Sequence, residues 1–267
     1  MKLKDKCFYI AGVANKKSVA TFVAKTLISE GAKVIFSAQN EKNLESIKKM
    51  FPNSNSFTLD VENKSDIDKL ESKIKDYTSS LDGFLHSMAF ANFSEGPKAF
   101  HETKREDFLQ AAQISAFSLV EMSNALKNIL NKDASVATVS ISSTKATSYG
   151  YLGPIKAMLD SSVCYLAKSF SEFSNIRFNS ACAGPLKTSA SAGIPNYIEN
   201  YVYSEELTLR KESLKTQEVA NAICFLLSPL SSGINAENLV IDCGMSSNYF
   251  DQKVVKTFAK AKLDNSL

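Results

Sequence analysis

The chain has few of the side chains that metal sites and hydrolytic triads require. Only two histidines, His86 and His101, occur in 267 residues, and neither lies in a zinc-binding or Ser-His-Asp motif. The five cysteines are widely spread without a Cys-x-x-Cys pair, and most lie in apolar runs. We therefore interpret them as small buried residues in a reducing compartment, and we predict no disulfide and no metal site.

Excess charge and long apolar runs are also scarce. Lys and Arg number 31 against 28 Asp and Glu, a net charge of +3, which is too small to indicate a nucleic acid or a membrane surface as partner. No apolar run is long enough to span a bilayer. Lys2 and Lys4 lead straight into a strand-like segment, without the apolar stretch of a signal segment. These features predict a cytoplasmic protein.

What the chain does contain is a regular alternation of short strand-like runs and longer helical stretches. Strands are predicted at 7–11, 33–37, 56–59, 83–86, 135–141, 176–182 and 239–242. Helices are predicted at 18–29, 42–50, 65–77, 105–130, 152–170 and 216–227, with an irregular helical stretch at 188–212.

This alternation predicts an α/β protein with a Rossmann-type, doubly wound parallel sheet and helices on both faces. The length fits one large domain, which we place at residues 1–250, followed by a charged tail at 251–267. Ligands of such sheets bind where the strands end at their carboxyl edge. Each candidate residue below directly follows a predicted strand or lies at the start of a predicted helix.

The turn at 12–18 is a candidate pyrophosphate site. A dinucleotide needs a tight turn followed by a helix N-terminus with unpaired N–H groups. This turn contains one glycine, Gly12, where the usual fingerprint has three. The alternative is an ordinary strand-to-helix turn with Ser18 as the helix N-cap.

Three other strand ends carry candidate binding residues. Asp60 and Val61 follow the third strand, where a carboxylate and nearby backbone can hold an adenine, or where Asp60 caps a turn. Small residues at 86–91 would let the backbone approach a ligand, unless they form only a packed turn. Thr188, after the Gly-Pro bend in 183–188, is placed either to bind a phosphate or to cap a helix.

Tyr149 and Lys156 are the candidate catalytic pair. Reduction of a polarised double bond creates a negative oxygen, which a phenol can hydrogen-bond or protonate. A neighbouring lysine can lower the pKa of the phenol and hold a ribose hydroxyl. Helical residues seven apart lie two turns apart on one face. The alternative is a solvated lysine without a catalytic role.

In their order and spacing, these segments resemble the short-chain dehydrogenase/reductase superfamily, and within it the enoyl-acyl-carrier-protein reductases of bacterial fatty-acid synthesis. The resemblance runs from about residue 4 to residue 247. The spacing Tyr149-x6-Lys156 matters most, because other members of the superfamily use Tyr-x3-Lys and Leu152 stands where their tyrosine would be. Further matching segments are Gly12-x5-Ser18, Gln39-Asn40, 85–91, 113–115, 183–188, 232–234 and 240–242.

The resemblance implies NADH-dependent reduction of the trans-2 double bond of an enoyl thioester that is linked to acyl carrier protein. NADH is favoured by analogy with relatives that contain the same glutamine, and NADPH is the alternative. Tyr149 would stabilise the enolate oxygen, Lys156 would position the ribose, and Ala91 and Tyr149 would contact the acyl group with a loop near 189–212. The implied cofactor-binding residues are Gly12, Ser18, Val19, Gln39, Asp60, Val61, Ser87, Met88, Ala89, Lys156, Leu186 and Thr188.

The chain departs from the family pattern near the catalytic pair. Ile141 stands where the family has a second tyrosine, and the segment 140–156 is about two residues shorter. Pro154 lies at the start of a predicted helix, where proline is tolerated only in the first turn. Cys243 replaces a common glycine near the last strand. Tyr151 is therefore an alternative to Tyr149.

These departures from the family pattern leave two other functions open. One is a short-chain reductase with a carbonyl substrate, and the other is a nucleotide-binding homologue without catalysis. The resemblance also implies a homotetramer, packed through the long helices predicted at 105–130 and 152–170.

Overall fold

The computed structural model describes residues 1–96, 98–188 and 197–264. Its strands are β1 Cys7–Ala11, β2 Lys33–Ala38, β3 Asn55–Thr58, β4 Leu81–His86, β5 Leu130–Ile141, β6 Arg177–Ala183 and β7 Asn238–Ile241. Its α-helices are α1 Val19–Ser29, α2 Glu41–Met50, α3 Lys64–Asp68, α4 Leu70–Lys75, α5 Arg105–Ala112, α6 Ser118–Leu126, α7 Leu152–Ser171, α8 Tyr197–Leu207, α9 Thr216–Leu227 and α10 Gln252–Leu263.

The strands form one seven-stranded sheet in the order β3-β2-β1-β4-β5-β6-β7, and every neighbouring pair is parallel. The chain moves outward in one direction from β1 and then in the other from β4. This is the topology of a doubly wound Rossmann-type sheet, and it confirms the predicted fold class. The switch point between β1 and β4 is where such folds bind ligands.

The core lies on both faces of the sheet. All five residues of β1 are buried, as expected for a parallel strand covered on both sides. Helices α1, α2 and α9 contribute to one buried apolar cluster, and α4, α6 and α7 contribute to the other. Successive side chains of a central strand enter the two clusters alternately. A buried strand therefore appears in the sequence as a continuous apolar run.

The prediction of one helix at 105–130 is wrong in two respects. A π-helical segment, Gln113–Phe117, interrupts it, and α6 ends at Leu126. The Ser115 hydroxyl exchanges hydrogen bonds with the backbone of Phe90, accepting from its N–H at 2.8 Å. Leu130 begins β5 instead, because it pairs with Leu81 in the sheet. Both departures from the predicted helix therefore involve contacts between residues that are far apart in the chain.

Other boundaries shift in smaller ways. The helix predicted at 65–77 is divided between α3 and α4. Within the stretch 188–212, residues 189–196 lie outside the described part, and α8 covers the middle. The predicted tail contains α10, whose N-terminus is capped by Asp251. Three cysteines are buried as predicted, whereas Cys164 is exposed on α7 and Cys243 is half-buried.

Among the described helices, none is both long and apolar enough to cross a membrane. The division at residue 250 and the cellular location stay predictions.

Arg177 gives the fold a testable buried charge. Its guanidinium donates to the carbonyl oxygens of Ser231 at 2.8 Å and Ser228 at 3.1 Å, and also to those of Leu226 and Ile234. The contacts join the start of β6 to the segment that follows α9. The side chain is only 7% exposed.

We expect Arg177→Met to destabilise the protein by about 2–4 kcal/mol, because several buried carbonyl oxygens would lose their donor. Urea unfolding measures this loss. The matched control is Arg105→Met, at an exposed position on α5, which should stay within about 0.5 kcal/mol of the wild type. Equal stability of the two variants would contradict the structural role of Arg177.

Candidate active site

The turn after β1 is held against the end of β4. Gly12 has a φ of +98°, and a Cβ atom built on it would lie 2.0 Å from the Ser87 carbonyl oxygen. The Ser87 N–H donates to the Ala11 carbonyl at 3.0 Å. Only glycine fits this approach, both sterically and in its backbone conformation. The structure thus brings together two segments that the sequence analysis assigned to the same cofactor.

The N-terminus of α1 opens directly from this turn. Ser18 has the extended backbone of an N-cap residue, but its hydroxyl donates to the Asn15 carbonyl at 2.9 Å rather than capping the helix. Thr21 donates to the same carbonyl at 2.7 Å. Ser18 therefore occupies the N-cap position that the alternative interpretation gave it, although its side chain does not cap the helix. The first turn of α1 carries no acidic residue, so the positive end of the helix dipole suits an anion.

Gln39, Asp60 and Val61 lie at the carboxyl edge of β2 and β3. These strands are paired up to Ala38 and Thr58. Gln39 is exposed, and Val61 is buried. The Asp60 carboxylate accepts the Glu62 N–H at 3.1 Å, so Asp60 caps its own turn while it remains at the predicted adenine edge.

The segment after β4 continues from Ser87 into a loop that faces α5. Ser87 and Met88 are half-buried and Ala89 is exposed. Ala91 is half-buried and packs against the apolar cluster of that face. Leu186 is buried and Thr188 half-buried beyond the end of β6. All of these residues therefore follow strand ends on the edge where β1 and β4 diverge.

Lys156 lies in the second turn of α7 and is 4% exposed. Its Nζ donates to the Val139 carbonyl at 2.8 Å. Burial lowers the pKa of Lys156 to about 8, and the negative charge of Asp160, one turn further along α7, partly opposes that shift. The sequence alternative of a solvated lysine is therefore wrong.

Asp160 was not identified from the sequence. Burial raises the pKa of Asp160, and its carboxylate accepts a hydrogen bond from the Ser180 hydroxyl at 3.0 Å. The sequence signal that could have identified Asp160 is its position four residues after Lys156, on the same face of the predicted helix.

The two candidate tyrosines occupy different environments. Tyr149 ends a 3-10 turn, Thr147–Tyr149, and is half-buried. Tyr151 is buried against Phe93 and Phe108, with ring centroids at 5.5 and 6.4 Å. Gly150, with a φ of +63°, turns the backbone between them. The short segment before α7 thus directs the side chains of Tyr149 and Tyr151 into different surroundings.

The Tyr151 hydroxyl is hydrogen-bonded to the backbone of one residue, Asn92, in the neighbouring loop. It accepts the Asn92 N–H at 2.7 Å and donates to the Asn92 carbonyl at 3.1 Å. The Asn92 amide in turn donates to Asp107 at 2.9 Å. These three residues form what we call the loop clamp. Asn92 and Asp107 were missed in the sequence, where nothing relates them to Tyr151.

A cavity of about 340 Å³ lies beside the loop clamp. Its walls come from the loop after β4, from the turn that carries both tyrosines, and from Asn200 on α8. Pro154 occupies the third residue of α7, within its first turn, as its missing N–H requires. No group of three or more His, Cys, Asp or Glu residues in the described ranges could hold a metal ion.

Comparisons with known proteins agree with this geometry. A family model described as Enoyl-(Acyl carrier protein) reductase matches residues 12–246. The enoyl-acyl-carrier-protein reductase FabI of Staphylococcus aureus, named for NADPH, is 33% identical over 251 residues, covering 91% of this chain and 98% of the relative. The NADH-named FabI of Buchnera aphidicola is also 33% identical, with 92% and 96% covered.

Solved structures show the same similarity. The crystal structure of FabI from Candidatus Liberibacter asiaticus superposes with a TM-score of 0.88 at 32% identity, covering 94% of this chain and 98% of that one. An enoyl-acyl-carrier-protein reductase from Anaplasma phagocytophilum in complex with NAD has a TM-score of 0.87 at 26% identity, with the same coverage.

Buried Lys156 should leave a pH signature on stability. Its pKa is about 8 in the folded protein and about 10.4 when unfolded, so between these values the unfolded chain binds more protons. The contribution of Lys156 to the free energy of unfolding therefore rises as the pH increases from about 8 to about 10.4.

We expect the free energy of unfolding of the wild type, relative to Lys156→Met, to increase from pH 7 to pH 10 in urea titrations. Lys168→Met provides the control, because Lys168 is exposed on the same helix. A pH-independent difference for Lys156→Met would show that folding does not lower the pKa of Lys156.

Proposed function

The chain belongs to the enoyl-(acyl carrier protein) reductase family, and we propose that it reduces the trans-2 double bond of an enoyl thioester linked to acyl carrier protein, in fatty-acid synthesis. One observation carries the proposal. The Gly12 turn meets the end of β4, the loop that follows β4 lines a cavity together with Tyr149, and Lys156 is buried at the start of α7 against β5. This arrangement fits a dinucleotide next to an acyl group.

A nicotinamide dinucleotide fits the residues present and would supply the hydride. The turn that begins at Gly12 and the N-terminus of α1, whose first turn carries no acidic residue, suit a pyrophosphate. Lys156 would hold a ribose hydroxyl. The remaining proposed contacts are Ser18, Val19, Gln39, Asp60, Val61, Ser87, Met88, Ala89, Leu186 and Thr188.

We favour NADH over NADPH on the basis of Gln39. The end of β2 is followed by the uncharged pair Gln39-Asn40, and both residues are exposed. A 2′-phosphate is normally accommodated by arginine at this position. Relatives are named for either nucleotide, so assays should include both.

Tyr149 is the proposed catalytic phenol. When hydride reaches the β-carbon, negative charge develops on the thioester carbonyl oxygen, and the α-carbon then accepts a proton. A phenol that hydrogen-bonds this oxygen stabilises the charge. Tyr151 is unsuited to the role because both hydrogen-bonding functions of its hydroxyl are used by Asn92. We therefore assign Tyr151 to the loop clamp and Ala91 with Tyr149 to acyl contact.

The central test is oxidation of NADH by purified protein with a crotonyl thioester. Tyr149→Phe should lower kcat by about 10²–10³-fold, as loss of one oxyanion donor does. Tyr151→Phe keeps the aromatic ring and should mainly raise KM through a looser loop. The opposite ranking in kcat would transfer the catalytic assignment to Tyr151.

Substrate class is tested in the same assay. Ile141 and the shortened segment after β5 motivate a carbonyl substrate as the second candidate. Turnover of ketones without turnover of the enoyl thioester would favour that reading. NADH binding without turnover of either substrate would favour a homologue that has lost catalysis.

We also propose that the protein is a homotetramer. The exposed side of α7 is uncharged over its first four turns and includes Met158 and Tyr165, which are 40% and 75% exposed. Leu109 and Phe117, on the neighbouring α5 and π-helical segment, are 59% and 48% exposed. Exposed apolar patches of this kind commonly mark contacts between proteins.

Sedimentation velocity at micromolar concentration should show a tetramer, because burial of these faces is the proposed driving force for association. Met158→Glu combined with Tyr165→Glu should shift the protein to smaller species, since charges would be desolvated at the contact. Leu230→Glu, at an exposed position outside these helices, is the control and should sediment as the wild type. A monomeric wild type would remove the proposal.

A further inference from the structure

The last helix, α10, lies beyond the part of the chain that matches the family, which ends at residue 246. Its twelve residues contain four lysines and no acidic residue. Asp251 caps its N-terminus by accepting the N–H groups of Lys253 and Val254 at 3.0 and 3.1 Å. The described structure therefore ends in a well-capped basic helix rather than the frayed tail that charge alone would suggest.

Three of the four lysines of α10 lie on one side. At 3.6 residues per turn, Lys253, Lys256 and Lys260 share a face, and all three are exposed, whereas Lys262 lies on the far side. Val254 and Ala261 lie about a third of a turn from the lysine face and are half-buried. The apolar face thus seats the helix on the protein, and the lysine face points to solvent.

Exposed apolar side chains flank the lysine face. Leu263 is 82% exposed and lies next to Lys256 around the helix, and Val255, 42% exposed, lies further round the helix, next to Lys262. A surface that combines apolar contacts with a charged border has the anatomy of a protein interface.

This surface is attached to the wall of the cavity. Lys253 pairs with Glu206 of α8 at 2.7 Å, and the Asn248 amide donates to the Leu207 carbonyl at 2.9 Å. Lys211 pairs with Asp251 in addition. Asn200, which lines the cavity, is six residues before Glu206, or about 9 Å along the helix. The lysine face is therefore close to the side from which α8 encloses the cavity.

We propose that the lysine face of α10 docks an acidic surface of the acyl carrier protein while its thioester enters the cavity. The proposal rests on the proposed function, which requires a substrate delivered by a protein to this edge. An exposed row of like charges attracts an oppositely charged partner and accelerates encounter. The attachment of α10 to α8 places that attraction next to the site where the thioester reacts.

The test compares two substrates that carry the same acyl group. Lys256→Glu combined with Lys260→Glu should raise KM for crotonyl-acyl carrier protein about tenfold or more, with kcat little changed. KM for crotonyl-N-acetylcysteamine, which has no protein carrier, should be unchanged. The rise in KM should shrink as salt is added, because exposed charges are screened.

The control makes the same charge change elsewhere. Lys48→Glu with Lys49→Glu alters two exposed lysines in the last turn of α2. Helices of this fold run back along the sheet, so the end of α2 lies at the opposite edge from the cavity. This variant should bind both substrates as the wild type does.

Three results would overturn the proposal. They are an unchanged KM for the carrier-linked substrate, an equal rise for both substrates, and an equal effect of the α2 control. Lysine-dependent co-sedimentation with phosphatidylserine vesicles, with KM unchanged, would assign the face to a membrane instead.

Direct titration with crotonyl-acyl carrier protein separates docking from catalysis. The Lys256/Lys260 variant should bind it at least tenfold more weakly than the wild type. If the wild type binds the carrier in this way but reduces neither substrate, the proposed reaction fails while the docking surface stands. If it reduces the small thioester but the variant binds the carrier unchanged, the docking surface fails alone.

Discussion

The close approach of Gly12 to the Ser87 carbonyl is the constraint on which the site depends. A Cβ atom at residue 12 would overlap that oxygen at 2.0 Å, so the ends of β1 and β4 can meet only with glycine in this turn. Their meeting places the N-terminus of α1 beside the segment that continues into the cavity loop. The contact is made by backbone atoms on both sides, so residue 12 has no room for a side chain.

A second constraint operates on the far side of the cavity. Asn92 connects the buried Tyr151 to Asp107, because its backbone N–H and carbonyl bond the Tyr151 hydroxyl and its side-chain amide donates to the Asp107 carboxylate. Such a set of hydrogen bonds resists loop movement because each broken bond would leave a partly buried polar group unpaired. The clamp holds the turn before α7 against the loop after β4. Tyr149 lies on the cavity wall beside it.

Buried charges connect the site to the rest of the fold. Lys156 is held by the Val139 carbonyl, and Asp160 behind it is held by Ser180, so α7 is fixed to β5 and β6 through polar contacts as well as through its apolar face. Desolvation lowers the pKa of Lys156 to about 8, because burial disfavours the charged ammonium. The same helix has an uncharged outer face, so α7 carries buried Lys156 on one side and the proposed contact surface on the other.

The sequence by itself determined the α/β class, the strand positions and the set of strand ends at which ligands bind. These follow from local signals, because apolar runs, glycines and helical periodicity act over a few residues. It also identified Tyr149 and Lys156 through the resemblance that their spacing carries. The roles proposed for these two residues remain predictions.

Only the tertiary structure decided which features of these segments meet. Tyr151 and Asn92 are 59 residues apart in the chain, and Ser115 interrupts a helix because it binds Phe90, 25 residues earlier. Leu130 lies in β5 and not in the predicted helix, because it pairs with Leu81 of β4. The burial of Lys156, the role of Asp160 and the attachment of α10 to α8 are of the same kind. Each depends on partners brought together by packing, and no local pattern encodes the identity of a distant partner.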